Sequence, residues 1–158
     1  MDAGLVFTED NFVPMSISDN KLRLASLLFV VIGLLDAAYL SYVKVINAQV
    51  FCGTSQQCEI VNNSSYSEIA GVPIAYLGFG AYLVIGLLHT LETRDQSYQR
   101  NVPLIIFGLS LTGVLYSAYL TYIEIAVLRA ICPYCVVSAV VILLIFLISI
   151  VRVASHQS

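Results

Sequence analysis

The sequence predicts an all-α integral membrane protein, a four-helix transmembrane bundle with a long extracytoplasmic loop between its first and second helices. The mean hydropathy is +0.88, and only 11% of the 158 residues are charged. A soluble domain of this size could not bury so much apolar surface. Four apolar stretches each reach the length of roughly 20 residues that a helix needs to cross a bilayer.

The four predicted spans are residues 22–46, 72–91, 102–128 and 132–153. Pro73 and Pro133 stand near the starts of two of them, where a missing N–H costs little. Residues 1–21 and 154–158 are expected to be cytoplasmic tails, and the N-terminal one shows no removable signal peptide. The polar loop 47–71 contains two of the four cysteines, and the loop 92–101 is short and charged.

The basic residues predict the orientation of the bundle, because Lys and Arg concentrate on the cytoplasmic side. Two of them, Lys44 and Arg129, fall on the side of the cysteines. Five fall on the other side: Lys21, Arg23, Arg94, Arg100 and Arg152. We therefore expect both termini in the cytoplasm and all cysteines on the opposite surface, where disulfides persist. A plasma (inner) membrane is favoured over the endoplasmic reticulum, because no lumenal-retention signal is present.

Cys132 and Cys135 open the fourth span with the spacing C-x-x-C. Residues three apart share a helix face, and the partial positive charge of a helix N-terminus favours the reactive thiolate. The pattern indicates redox chemistry, with inert thiols or a structural zinc site as alternatives. His89 and His156 lie toward the cytoplasmic side, so zinc would need all four cysteines. We predict no metal.

Cys52 and Cys58 flank a flexible polar spacer in the long loop. A disulfide between them would close a small loop, which constrains the unfolded chain weakly. The pair therefore fits an electron shuttle better than a staple, although a structural bridge stays open. No nicotinamide or flavin fingerprint is present, so we infer that the electron acceptor is a lipid-soluble quinone that reaches the site from the bilayer.

An internal repeat relates the two halves of the chain. Residues 33–42 and 113–122 are identical at six of ten positions, at an offset of 80 that also carries Cys52 onto Cys132. Either two helix pairs arose by duplication, or both segments use a common membrane-packing pattern of small residues.

Four motifs together resemble the vitamin K epoxide reductase family in its stand-alone bacterial and archaeal form. They are Gly33-Leu-Leu-x-x-x-Tyr39 with Val43-Lys44, the loop pair Cys52 and Cys58, Ser64-Ser-Tyr-Ser67 with Gly71-Val-Pro73, and Cys132-Pro-Tyr-Cys135. The order, with the loop pair before the C-x-x-C, separates this family from the DsbB-type quinone reductases.

The resemblance implies a role for each cysteine. Cys135 would lie next to a quinone of the menaquinone, ubiquinone or phylloquinone type and reduce it. Cys58 would attack Cys132 through a mixed disulfide, and Cys52 would exchange with a thioredoxin-fold (DsbA-like) partner. That partner is expected to be a separate extracytoplasmic protein, since the sequence stops at Ser158 without a thioredoxin-like domain.

Other residues receive weaker assignments. Ser64 matches a family serine that assists between the two cysteine pairs. Ala139 replaces a tyrosine of the vertebrate members, which favours plain quinone reduction over epoxide reduction. Asp36, inside the first span, is either a proton relay or a protonated side chain bonded to a neighbouring helix. Candidates for the quinone pocket are Phe79, Tyr82, Tyr116 and Tyr119, of which Tyr119 is alternatively a residue of the interfacial aromatic belt.

The sequence thus predicts a membrane thiol oxidoreductase that couples disulfide formation in extracytoplasmic proteins to quinone reduction. The alternative is a non-catalytic membrane protein whose outer loop is held by structural disulfides. The net charge of −3 and the lack of a basic patch argue against a nucleic-acid partner.

Overall fold

The computed structural model describes residues 19–52, 56–94 and 101–157. Its helices are α1 (Asp19–Val45), α2 (Gln57–Asn62), α3 (Ile74–Arg94), α4 (Val102–Ile123) and α5 (Pro133–Gln157). A short 3-10 turn (Ser65–Ser67), strands β1 (Glu68–Ile69) and β2 (Val72–Pro73), and a π-helical turn (Glu124–Leu128) complete the described elements.

Four segments are long and apolar enough to cross a membrane: Asn20–Val45, Ile74–Glu92, Val102–Leu128 and Pro133–Ser155. The chain is therefore a multi-pass membrane protein, and the predicted four-helix bundle is confirmed. The first helix begins at Asp19, ahead of the expected residue 22, and α5 continues to Gln157, beyond the expected residue 153. Most of the expected N-terminal tail, residues 1–18, lies outside the described residues, as does Arg100.

The bundle buries a narrow core and turns apolar side chains outward. Val30, Ile85, Ile106 and Ile145, one from each spanning helix, are almost fully buried in one cluster. Large apolar side chains also stay exposed along the same helices, among them Leu28, Leu35, Leu87, Leu115 and Leu147. Such a surface is stable in lipid, where no hydrophobic penalty opposes it.

The two glycines that begin the repeat lie at close helix contacts. A Cβ on Gly33 would come within 2.5 Å of the ring of Tyr82 in α3. A Cβ on Gly113 would come within 2.8 Å of Ile142 in α5. Each glycine thus lets its helix approach the following spanning helix, and the contact pairs are α1 with α3 and α4 with α5.

The described part of the loop between α1 and α3 forms a cap over one end of the bundle. The helix α2 is followed by an antiparallel hairpin that pairs Ile69 with Val72. Gly71, at its turn, has φ +80°, a conformation that glycine adopts without strain. Lys44 of α1 donates a hydrogen bond of 2.8 Å to the carbonyl of Asn62 and lies 3.4 Å from Glu68. The lysine therefore ties the cap to α1.

The opposite end of the bundle holds a buried polar cluster. Arg152 of α5 donates to a carboxylate oxygen of Glu92 in α3, and both side chains are almost fully buried. His89 Nε2 and Ser26 Oγ are 2.9 Å apart in the same region. Arg152, which contributes to the charge asymmetry of the sequence, is thus neutralised inside the bundle.

Candidate functional site

The loop cysteines form a disulfide. Cys52 and Cys58 are bonded, with their Cα atoms 6.0 Å apart. Cys58 lies in the first turn of α2 and has no exposed surface, whereas Cys52 is only partly buried. The short helix therefore presents one sulfur of the bridge to the interior and leaves the other near the surface.

The second pair lies at the start of α5. Cys132 precedes the helix and Cys135 occupies its first turn, and both are free thiols. Cys132 is 1% exposed and shares a buried apolar cluster with Cys58. The remaining buried members of that cluster are Val43, Val50, Val61 and Ala130. The fold thus brings the inner cysteine of each pair into one water-poor compartment.

A hydrogen-bonded clamp holds the loop against the C-x-x-C. The Tyr134 hydroxyl donates to the carbonyl of Phe51 at 2.9 Å. The N–H of Phe51 donates to the hydroxyl of Tyr39 at 3.2 Å. The rings of Tyr39 and Tyr134 lie 5.1 Å apart, centre to centre. A further bond of 3.4 Å runs from the N–H of Ile131 to the Gln57 side chain.

The surroundings of Cys132 favour its thiolate. A hydrogen bond from the Cys135 thiol is the largest cause, and the N–H groups of Cys135 and Tyr134 add to it. Together they hold the pKa of Cys132 below its ordinary value, although burial opposes the shift. Thiolate is the nucleophilic form of cysteine, so Cys132 is prepared for thiol–disulfide exchange.

Glu124 is a site residue that our sequence analysis missed. Its carboxylate accepts a hydrogen bond of 3.2 Å from the N–H of Cys132 and is also hydrogen-bonded to the Cys135 thiol. The side chain is 4% exposed and begins the π-helical turn after α4. An acidic residue inside an apolar span is a signal of function. That signal pointed to Asp36, and it applies equally to Glu124.

A cavity of about 420 Å³ lies between the spanning helices beside Cys135. Its wall is mainly apolar, and all four spanning helices contribute. Side chains of the cap, among them Ser64, close one end. Residues of the spanning helices and of the segment between α4 and α5 line the cavity. Among them are Asp36, Ala37, Leu40, Ala81, Tyr82, Leu109, Tyr116, Leu120, Glu124, Cys132, Cys135 and Ser138.

The predicted pocket residues separate into two groups. Tyr82 and Tyr116 line the cavity, and the Tyr82 hydroxyl donates to the carbonyl of Ser138 at 3.1 Å. Phe79 instead packs against the bundle core. Tyr119 is 47% exposed and contacts Tyr116, with the ring centres 6.0 Å apart. The structure therefore brings only two of the four aromatic candidates to the cavity.

Two further candidates also reach the cavity. Ser64 lines it, while its hydroxyl donates to the carbonyl of Val61 at 2.8 Å. Asp36 lines it as well, and its buried Oδ2 has no hydrogen-bond partner. The expectation that Asp36 bonds to a neighbouring helix thus finds no partner at this oxygen. Within the described ranges, no three potential metal ligands converge.

Comparison with known proteins agrees with this geometry. Residues 24–150 match the vitamin K epoxide reductase family. Over 127 residues the chain is 35% identical to the thiol-disulfide oxidoreductase LTO1 of Arabidopsis thaliana. The match covers 74% of this chain and 33% of the relative, so the chain spans about a third of that protein's length. Both matches support a membrane thiol oxidoreductase. The chain belongs to the vitamin K epoxide reductase family, as its four motifs together predicted.

Proposed function

We propose that the chain oxidises a thioredoxin-fold protein outside the cytoplasm and passes the electrons to a membrane quinone. The main support is the arrangement of the two cysteine pairs. Cys58 and Cys132 share a buried cluster, while Cys135 lines a mainly apolar cavity that all four spanning helices form. Electrons can therefore move from a loop that is accessible to a protein partner to a cavity that can bind a lipid-soluble molecule.

Electrons would enter at Cys52, the more accessible sulfur of the loop pair. A thiolate of the reduced partner attacks Cys52, and the bond between Cys52 and Cys58 breaks. The second thiolate of the partner then attacks the partner sulfur that is bonded to Cys52, which releases Cys52 and leaves the partner with a disulfide. The loop pair gains two electrons, and two protons accompany them.

The loop pair would then reduce the C-x-x-C in its disulfide form. Cys58 attacks Cys132, which forms a mixed disulfide and releases Cys135 as a thiolate. Cys52 next attacks Cys58, which restores the loop disulfide and releases Cys132. The structure has the loop pair bonded and the C-x-x-C as thiols, which corresponds to the state after this transfer.

The cavity fits a quinone in size and polarity. Its volume of about 420 Å³ falls in the range of small-molecule sites, which combine apolar walls with a few polar groups. The unpaired Oδ2 of Asp36 and the Tyr82 hydroxyl supply polar groups in the described wall. A bound quinone would accept two electrons and two protons. Cys135 would deliver the electrons, and Asp36 could exchange a proton.

The test uses the purified chain in detergent, a reduced thioredoxin-fold protein and a short-chain quinone. We expect quinone-dependent oxidation of the protein thiols, and Cys135→Ala should abolish it. Ser155→Ala, at the far exposed end of α5, serves as the matched control and should retain the rate. Thiols that stay unchanged on addition of quinone would favour the alternative of a non-catalytic protein with a structural loop disulfide.

A trapping experiment separates the steps. In a Cys52→Ala, Cys135→Ala chain treated with a thiol oxidant such as diamide, which takes up the two electrons, we expect Cys58 and Cys132 to accumulate as a mixed disulfide, since neither has a resolving partner. In a Cys58→Ala, Cys135→Ala chain, much less of the bond between Cys52 and Cys132 should form. Equal trapping in both would contradict the assigned order.

The same function requires the cysteines to face away from the cytoplasm, and the charge asymmetry supports that orientation. Labelling of intact cells with a membrane-impermeant maleimide, after mild reduction, tests it. We expect Cys52 to react in intact cells. Labelling only after lysis would reverse the proposed orientation. Ala139 supports quinone rather than epoxide as the acceptor, and the purified chain should leave vitamin K epoxide unreduced.

A further inference from the structure

Glu124 combines three properties that a purely structural acid does not need. It is almost fully buried, and it lines the cavity beside Cys135. Its carboxylate is hydrogen-bonded to the N–H of Cys132 and to the thiol of Cys135. We propose that Glu124 is a catalytic residue whose carboxylate accepts the proton of the Cys135 thiol. The inference deepens the proposed function and rests on it.

The local fold fixes the carboxylate at this point. The last turn of α4 widens into a π-helical turn, a feature often found at functional sites. The turn ends at Arg129 with φ +50°, and the N–H of Ala130 donates to the carbonyl of Glu124 at 3.1 Å. The chain then reverses, so that the N–H of Cys132 reaches Glu124 Oε2 at 3.2 Å. The second contact of the carboxylate is the thiol of Cys135.

The proton transfer is balanced between two groups of the chain. The step starts from the state in which Cys132 is a thiol: the S–H bond of Cys135 breaks, its electron pair stays on sulfur, and an O–H bond forms on Glu124. The thiolate that results can act as the electron donor. When Cys58 attacks Cys132 and releases Cys135 as a thiolate, the O–H bond breaks and the proton returns to sulfur. Neither step needs an oxidant.

The competing explanation is that Glu124 only accepts the N–H of Cys132 at the start of α5. Glutamine keeps an acceptor for that N–H but cannot take up a proton, so Glu124→Gln separates the two roles. The pH profile of the Cys135 reaction provides the readout. Between the two macroscopic pKa values of a coupled pair, the shared proton gives a constant fraction of thiolate. An isolated thiol instead gains thiolate about tenfold per pH unit below its pKa.

The test uses the full chain in detergent with Cys52, Cys58 and Cys132 replaced by serine, and without quinone or partner. The rate of Cys135 alkylation by iodoacetamide is followed by mass spectrometry. With Glu124 present, we expect this rate to change less than about threefold between about pH 6 and about pH 8. With Glu124→Gln, we expect it to rise about a hundredfold over the same range.

Other titratable groups near Cys135 are present in both chains and cancel in the comparison: Asp36 on α1, Tyr66 in the cap, Tyr82 on α3, Tyr116 on α4 and Tyr134 on α5. Glu59→Gln, the same chemical change beside position 58 on α2, is the control. In this variant the rate of Cys135 alkylation should stay nearly constant over the same pH range.

Equal slopes with Glu124 and with Gln would overturn the proposal and leave Glu124 as a helix cap. A tenfold rise per pH unit in the chain that retains Glu124 would also overturn it, even if the Gln variant failed to fold. The assay contains neither quinone nor protein partner. Its failure is therefore distinguishable from failure of the proposed function, in which the quinone-dependent oxidation itself would be absent.

Discussion

The Tyr134 hydroxyl donates a hydrogen bond of 2.9 Å to the carbonyl of Phe51, which joins the neighbours of the two redox pairs. Tyr134 directly precedes Cys135, and Phe51 directly precedes Cys52.

A net hydrogen bond contributes about 0.5 to 1.5 kcal/mol. Tyr134→Phe should therefore slow exchange between the loop pair and the C-x-x-C about two- to tenfold, measured by single-turnover quenching. Tyr42→Phe, exposed on α1, should have no effect, and equal slowing in both would contradict the clamp.

Removal of Cys135 should raise the pKa of Cys132. The Cys135 thiol is the largest cause that holds this pKa below its ordinary value. A lowered pKa means that the thiolate is lost only as the pH falls through that lower value. In a chain with serine at positions 52 and 58, Cys135→Ala should move the ultraviolet thiolate titration of Cys132 to higher pH. Val136→Ala, an exposed neighbour, should leave it in place, and coincident curves for both variants would refute the assignment.

Gly33→Ala should destabilise the bundle. Its Cβ would lie 2.5 Å from the ring of Tyr82, and overpacking of this kind costs about 1 to 3 kcal/mol. Because Tyr82 also lines the cavity, binding of a quinone should weaken as well. Thermal unfolding in detergent measures the first effect. Gly80→Ala, with no heavy atom within 4 Å of its Cβ, should be neutral or stabilising, and a similar loss there would disprove the contact argument.

Asp36→Asn should slow quinone reduction while leaving thiol exchange intact. The amide keeps the shape of the side chain but cannot exchange a proton, and loss of a general acid–base group costs about a hundredfold or more. Steady-state quinone reduction and single-turnover exchange between Cys58 and Cys132 measure the two steps separately. Unchanged turnover would remove Asp36 from the mechanism.

Glu92→Gln should destabilise the end of the bundle that lies away from the cysteines. The change removes the carboxylate that accepts from buried Arg152, and breaking a buried ion pair costs about 3 to 5 kcal/mol. Glu68→Gln weakens a partly exposed pair with Lys44, which contributes about 0 to 1 kcal/mol. Unfolding temperatures of the two variants give the comparison, and equal values would show that burial does not strengthen the Arg152 pair.

The spans could be predicted because membrane helices follow from hydropathy and length alone. That Cys58 and Cys132 lie in one buried cluster was expected only from the family resemblance. The spacing of cysteines along the sequence does not predict contact between distant segments. The sequence could not predict whether Phe79 faces the core or the cavity, because positions within one turn of a helix can face either. Glu124 is marked in the sequence as an acid inside an apolar span, but its contact with Cys132 depends on a π-helical turn that no residue propensity marks.

The burial of Cys58 and Cys132 has a consequence for the fidelity of the pathway. Cys58 has no exposed surface and Cys132 has 1%, so glutathione and other small thiols cannot reach the interior junction while the clamp is closed. Electrons on the proposed path would then be accessible only at Cys52 and at the cavity beside Cys135. If electrons follow the proposed path, this burial keeps other thiols from intercepting them between the loop pair and the cavity.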